Sequence, residues 1–195
     1  MKKIELIWRE ILETGSKNPV FEQKKLAQKF GFSTSTVFAA VSGLKAIGAV
    51  TVTGRNFRLV NFEKALLFWA THRNLSREII YKTRVELPVL EVEGLVDDKT
   101  IYGVYSAARI LLGSAPAEYD KVYVYNRNIQ VLEKRFPLKK GEPNFFVLKT
   151  DDFLEKYGKT TRVSQTFVDL WNLSDWQAGE FLDALKEKFY GRLLQ

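Results

Sequence analysis

The chain has 195 residues, 46% of them hydrophobic and 27% charged, enough for one sizeable core or two smaller ones. It holds no cysteine and a single histidine, His72, which excludes disulfides, thiolate metal sites and a zinc centre built from histidines. The net charge of +7 is unevenly placed: residues 1–86 carry 15 Lys and Arg against 7 Asp and Glu, whereas residues 87–195 carry 15 against 16. A basic excess confined to one part of a chain points to a polyanionic partner for that part. No apolar run approaches the roughly 20 residues that span a bilayer. Glu5, Arg9 and Glu10 interrupt the first apolar stretch, so no export signal is expected and the expected location is the cytoplasm.

Ile4, Ile7, Trp8, Ile11 and Leu12 recur at helical spacing and predict a first helix over Lys2–Glu13. The Gly, Asn and Pro of Thr14–Pro19 make a loop. A second helix is expected from about Phe21 to Phe30, ended by Gly31 in a left-handed cap. Ser33 is a good N-cap for a third helix reaching Ile47, with Val37, Ala40, Val41, Leu44 and Ile47 facing inward. After Gly48, the alternation through Val60 around Gly54 predicts a β-hairpin. Its Val50, Val52, Phe57 and Leu59 would cover the core, with Arg55 at the tip and Arg58 pointing outward.

A longer apolar helix, placed at residues 62–75, is expected to connect this part to the rest. Strands are expected at Ile79–Val85, Val89–Val96, Lys121–Asn126 and Asn144–Thr150, and a strand-to-helix segment at Thr100–Gly113. Two helices close the chain, at Ser164–Trp171 and from Ser174, where Gln177 completes capping-box spacing. The expected fold class is α+β: residues 1–61 as one domain and residues 76–195 as an α/β-type domain with a mixed sheet.

Helix, short turn, helix and hairpin form a fairly specific order. The stretch "KLAQKFGFSTSTVFAAVSGLKAIGAV" resembles the winged helix-turn-helix pattern of bacterial and archaeal regulators, with Ser33–Ile47 as recognition helix and Gly54–Arg58 as wing. That resemblance implies double-stranded DNA as partner. A helix N-terminus offers free N–H groups and a positive dipole end to a phosphate. Ser33, Thr34, Ser35 and Thr36 add hydroxyls there, Phe38 can meet a thymine methyl, and Ser42 and Lys45 lie further along. The helix lacks the Arg or Asn that reads guanine or adenine, so Arg55 and Arg58 are the stronger candidates for contact.

In the C-terminal half, Gly113-Ser114 followed by Asp120 is the start of a nucleotidyltransferase pattern, but Val122 stands where a second metal-binding acid is needed. No catalytic residue, metal or cofactor is therefore expected. The stretches "YSAARILLG", "KVYVYN", "NFFVLKT" and "TRVSQTFVDLWNL" resemble the AbiEi family of antitoxin regulators from type IV toxin–antitoxin systems. Arg162, Ser164, Asp169 and Leu170 match its "R-x-S…D-L" segment, while Gln165-Thr166 replace its Pro-Glu. The resemblance implies a repressor of its own transcription and a nucleotidyltransferase-type toxin as partner. A homodimer is expected from the symmetry of most operator binders. The alternatives are a degenerate nucleotidyltransferase-like module and a protein-docking module without DNA binding.

Overall fold

The computed structural model describes residues 1–191. The chain is α+β and divides into two compact units, Met1–Arg73 with Tyr190 and Gly191, and Asn74–Phe189. No helix among the described residues is long and apolar enough to cross a membrane.

The first unit runs α1 (Lys3–Gly15), β1 (Val20–Glu22), α2 (Gln23–Phe30), α3 (Thr34–Ala46), β2 (Val50–Thr53), β3 (Asn56–Leu59) and α4 (Phe62–His72). The three strands form an antiparallel sheet in the order β1-β3-β2. Ile7, Ile11, Leu26, Phe30, Val37, Val41, Leu44 and Phe57 are buried together with Trp69 of α4, so α4 belongs to this unit's packing. The Trp8 indole N–H donates to the Ala40 carbonyl at 2.9 Å, tying α1 to α3. Glu5 is buried and accepts from Trp69 Nε1 at 3.2 Å and from Arg73 Nη1 at 3.4 Å. A buried carboxylate needs such donors, because unpaired it would be costly. Two details differ from the sequence reading. Val20–Glu22 pairs with Arg58, Phe57 and Asn56, so a third strand precedes α2 and the helix starts at Gln23 rather than Phe21. Val52 is half-buried rather than a core residue.

The second unit runs β4 (Ile79–Thr83), α5 (Val89–Gly94), β5 (Ile101–Gly103), α6 (Val104–Leu112), β6 (Val122–Asn126), α7 (Ile129–Arg135), β7 (Phe145–Lys149), α8 (Val163–Trp171) and α9 (Trp176–Leu185). Its sheet is mixed, in the order β4-β7-β6-β5, with β6 and β7 parallel and the other pairs antiparallel. The parallel pair needs a crossover, which α7 supplies. β6 is buried along its whole length, as a strand covered on both faces must be. Val122 and Val124 join Val92, Leu132, Phe136, Phe145 and Val147 in one core cluster. The alternate residues take part in the other: Tyr123 lies 6.3 Å from the Tyr105 ring of α6, and Tyr125 donates to Asp169 of α8 at 2.5 Å.

The strand expected at Val89–Val96 is instead the helix α5. The alternation of "VLEVEG" also fits a helical turn, because Val89 and Val92 are three apart, and Pro88 suits the residue that opens a helix. The last helix begins one residue later than expected. Asp175, not Ser174, is its N-cap residue, and no side-chain hydrogen bond caps it. The Asp175 carboxylate is drawn instead to Lys121 Nζ, at 2.8 and 2.9 Å, and to the Tyr105 hydroxyl at 3.2 Å. Gly103 has a steric cause: a Cβ there would lie 2.9 Å from the Tyr125 ring, so glycine lets that ring pass to Asp169. The next residue, Val104, is buried and held at φ 51°, a strained conformation for a β-branched side chain at the junction of β5 and α6.

Candidate nucleic-acid interface

Gly31 at φ 64° ends α2 in the left-handed region, and its N–H and that of Phe32 return to α2 carbonyls. The chain then enters α3, whose N-cap is Ser33, as the sequence predicts. Ser33 Oγ accepts from the Thr36 N–H at 3.3 Å. It also lies 2.9 Å from Ser35 Oγ and 2.9 Å from Thr36 Oγ1. The hydroxyls of Ser33, Ser35 and Thr36 therefore satisfy one another in the free chain. Only Thr34 in this group stands outside the network. Contact with a phosphate through Ser35 or Thr36 would require those hydroxyls to rotate away.

At 100° per residue, Thr34, Phe38, Ser42 and Lys45 fall within an arc of about 80°. Val37, Ala40, Val41 and Leu44 fall in the adjoining arc, centred about 110° away, and are buried. The outward stripe is largely open: Thr34 and Lys45 are exposed, Ser42 is half-buried, and Phe38 is 63% exposed. An aromatic ring left in water on a helix whose other face is fully packed is the least expected feature of this unit.

The hairpin leaves the end of α3 through Gly48 and Ala49, whose N–H groups bond to Lys45 and Leu44 carbonyls. Arg55 sits in the turn beside Gly54, which is held at φ 59°. Arg58 lies on the central strand β3, opposite Thr51 on one side and Val20 on the other. Its neighbours Phe57 and Leu59 are buried, so by strand alternation Arg58 faces outward. Arg58 is therefore a residue of the open sheet face rather than of the tip. Among the described residues, neither arginine, nor Lys45, has an acidic partner.

Burial refines the charge count. Within Met1–Arg73 the buried Arg9 and Arg73 are balanced by the buried Glu5 and Glu10. What remains towards solvent is ten Lys and Arg against three Asp and Glu, an excess of +7. One cation escaped the sequence reading. Lys3, exposed at the start of α1, lies over the Phe32 ring at 5.2 Å, next to the Ser33 cap. No local pattern signals this pairing, since the two residues are far apart in the chain.

The second unit offers no comparable concentration of charge. Gly113 ends α6 and Ser114 is exposed. Asp120 is exposed just ahead of β6, while Val122 is buried in the strand and offers no oxygen ligand. No cluster of three or more His, Asp or Glu able to hold a metal occurs among the described residues. No protein-family model matches the chain, and neither a curated protein nor a solved structure does.

Proposed function

We propose that the first unit is a winged helix-turn-helix that binds duplex DNA, and that the chain is a transcriptional regulator acting as a repressor. The observation that carries this reading is the set of unneutralised cations, Lys45, Arg55 and Arg58, on α3 and on the open side of its hairpin, within a surface excess of +7. In this reading α3 enters the major groove by its N-terminal end, where the dipole and the N–H groups of Thr34 and Ser35 meet a phosphate. Phe38 offers its exposed ring to a thymine methyl. Arg55 and Arg58 hold the backbone or an adjacent minor groove, and each phosphate neutralised releases counterions. The helix has no bidentate reader of guanine or adenine, so affinity rests on backbone contact more than on base readout.

Fluorescence anisotropy with labelled duplex from the protein's own promoter, beside random duplex, tests this. Binding to either is expected well below about 10⁻⁴ M, the weak end of non-specific association. No binding to either would refute DNA recognition. The exposed Phe38 would then favour the second reading, in which α3 docks a protein.

The AbiEi resemblance adds a second part to the proposal: the Asn74–Phe189 unit neutralises a nucleotidyltransferase-type toxin. Co-expression with a nucleotidyltransferase encoded beside this chain tests it, because rescue from growth arrest should survive deletion of the first unit.

A further inference from the structure

Among the described residues, the second unit leaves eight large hydrophobic side chains exposed. Four of them, Leu87, Leu90, Leu95 and Leu138, gather about the short helix α5. Leu90 is 65% and Leu138 80% exposed. Two hollows flank α5. One, of about 580 Å³, lies between Pro88–Leu90 and the loop Ala115–Tyr119. The other, of about 280 Å³, is bounded by Leu87, Leu95, Phe136 and Leu138. Leucines gathered in this way forgo about 25 cal/mol per Å² for as long as water covers them.

The two ends of this ridge carry opposite charge. Arg84, Arg135 and Lys139 line the Leu138 end with Glu86 as the one acid among them, an excess of two positive charges. Glu86 lies 3.5 Å from both Arg84 and Lys139, and their hydrogen bonds and charges hold its carboxyl below the usual range. At the other end Arg109 is neutralised by the buried Glu93 at 2.5 Å. Among the described residues Glu118 has no cation partner there, and the exposed Glu91 adjoins Leu90.

We propose that the α5 ridge is the contact between two copies of this chain related by a two-fold axis, with the Leu138 end of each against the Glu118 end of the other. A two-fold through the middle of the ridge inverts it, setting leucines on leucines and the basic end on the acidic end. A uniformly acidic or basic partner would satisfy one end and oppose the other. The open edge strand β4 is a poorer contact. Lys82 is exposed at its outer face and its register shifts between Ile79 and Tyr81, both devices that keep an edge from pairing. The proposal concerns the second unit's surface and stands apart from DNA binding.

Sedimentation velocity of the full chain tests it. A contact of about 800 Å² per partner supports association in the micromolar range or tighter. A dimer is therefore expected at about 100 µM, well above such a constant. Leu90→Asp and Leu138→Asp should each weaken the dimer at least about tenfold, because each buries a charge. Both positions are exposed in the single chain, so the circular dichroism melt should not change. Glu118→Lys and Lys139→Glu should each weaken the dimer, and the double variant should recover it, since opposite charges meet again. A monomer at that concentration overturns the proposal. So does a dimer indifferent to both leucine variants, or a double variant no better than the single ones. Loss of DNA binding with the dimer intact would count against the proposed function alone.

Discussion

The two units treat their polar groups in opposite ways. In Met1–Arg73 the interior charges are few, as with Glu5 held by Trp69 and Arg73, while Lys45, Arg55 and Arg58 face water with no carboxylate partner among the described residues. In Asn74–Phe189 the polar groups are turned on one another: Glu93 takes Arg109 and the Tyr119 hydroxyl, Asp175 takes Lys121 and Tyr105, and Asp169 takes Tyr125. Seven of the eight tyrosines lie in the second unit, and each of these three networks includes a phenol. The lesson is that net charge alone misleads. What makes one surface available to a polyanion is that its cations have no intramolecular carboxylates to hold.

The largest effect expected is in the first unit. Leu44 is fully buried on α3, and Leu44→Ala should cost about 2–5 kcal/mol of stability through lost packing and a residual cavity. Chemical denaturation followed by tryptophan fluorescence measures it, and a loss within experimental error would mean that α3 does not pack as described. The second unit should be more sensitive to a single oxygen atom. Tyr125→Phe removes the donor to buried Asp169, and the expected loss is about 1.5–3 kcal/mol, the range for hydrogen bonds to charged groups. A neutral result would show that the phenol networks shape the second unit without stabilising it.

A smaller effect follows from pH. Burial, then the hydrogen bond and charge of Glu93, push the Tyr119 phenol up to about 12. Burial also raises Tyr105 and Tyr123, with Asp175 adding to both. A folded-state pKa above the unfolded one means that the folded chain keeps protons the unfolded chain loses. The stabilisation is complete below about pH 10 and falls as pH rises from about 10 to about 12. Thermal melts across that window should show a decline, and Tyr119→Phe should make it shallower. An unchanged slope would remove Tyr119 from the account.

Much of the first unit was legible in the sequence. The stripes of α1 and α3, the Gly31 and Gly48 stops and the Ser33 cap are local features, and local spacing encodes them. β1 was not legible, because three residues carry no period and their strand character comes from pairing with β3. α5 was misread because six residues satisfy an alternating and a helical pattern equally, and α7 was not anticipated. At the candidate interface the exposure of Arg55, Phe38 and Lys45 followed from helical and strand periods. The closure of the Ser33, Ser35 and Thr36 hydroxyls on each other did not, nor did the arrival of Lys3 beside Phe32, since both depend on coordinates that spacing does not contain.

That difference between free cations and engaged hydroxyls has one direct measurement: the salt dependence of DNA affinity for single variants, read by fluorescence anisotropy at several salt concentrations. Arg55→Ala and Arg58→Ala should weaken binding and each shallow the log–log slope by about 1 unit, because a phosphate contact is lost with its counterion release. Thr34→Ala should weaken binding slightly and leave the slope unchanged, since a hydroxyl displaces no counterion. Slopes unaffected by either arginine variant, with binding otherwise intact, would contradict the account, because the unpaired cations of the hairpin would then not be what meets the nucleic acid.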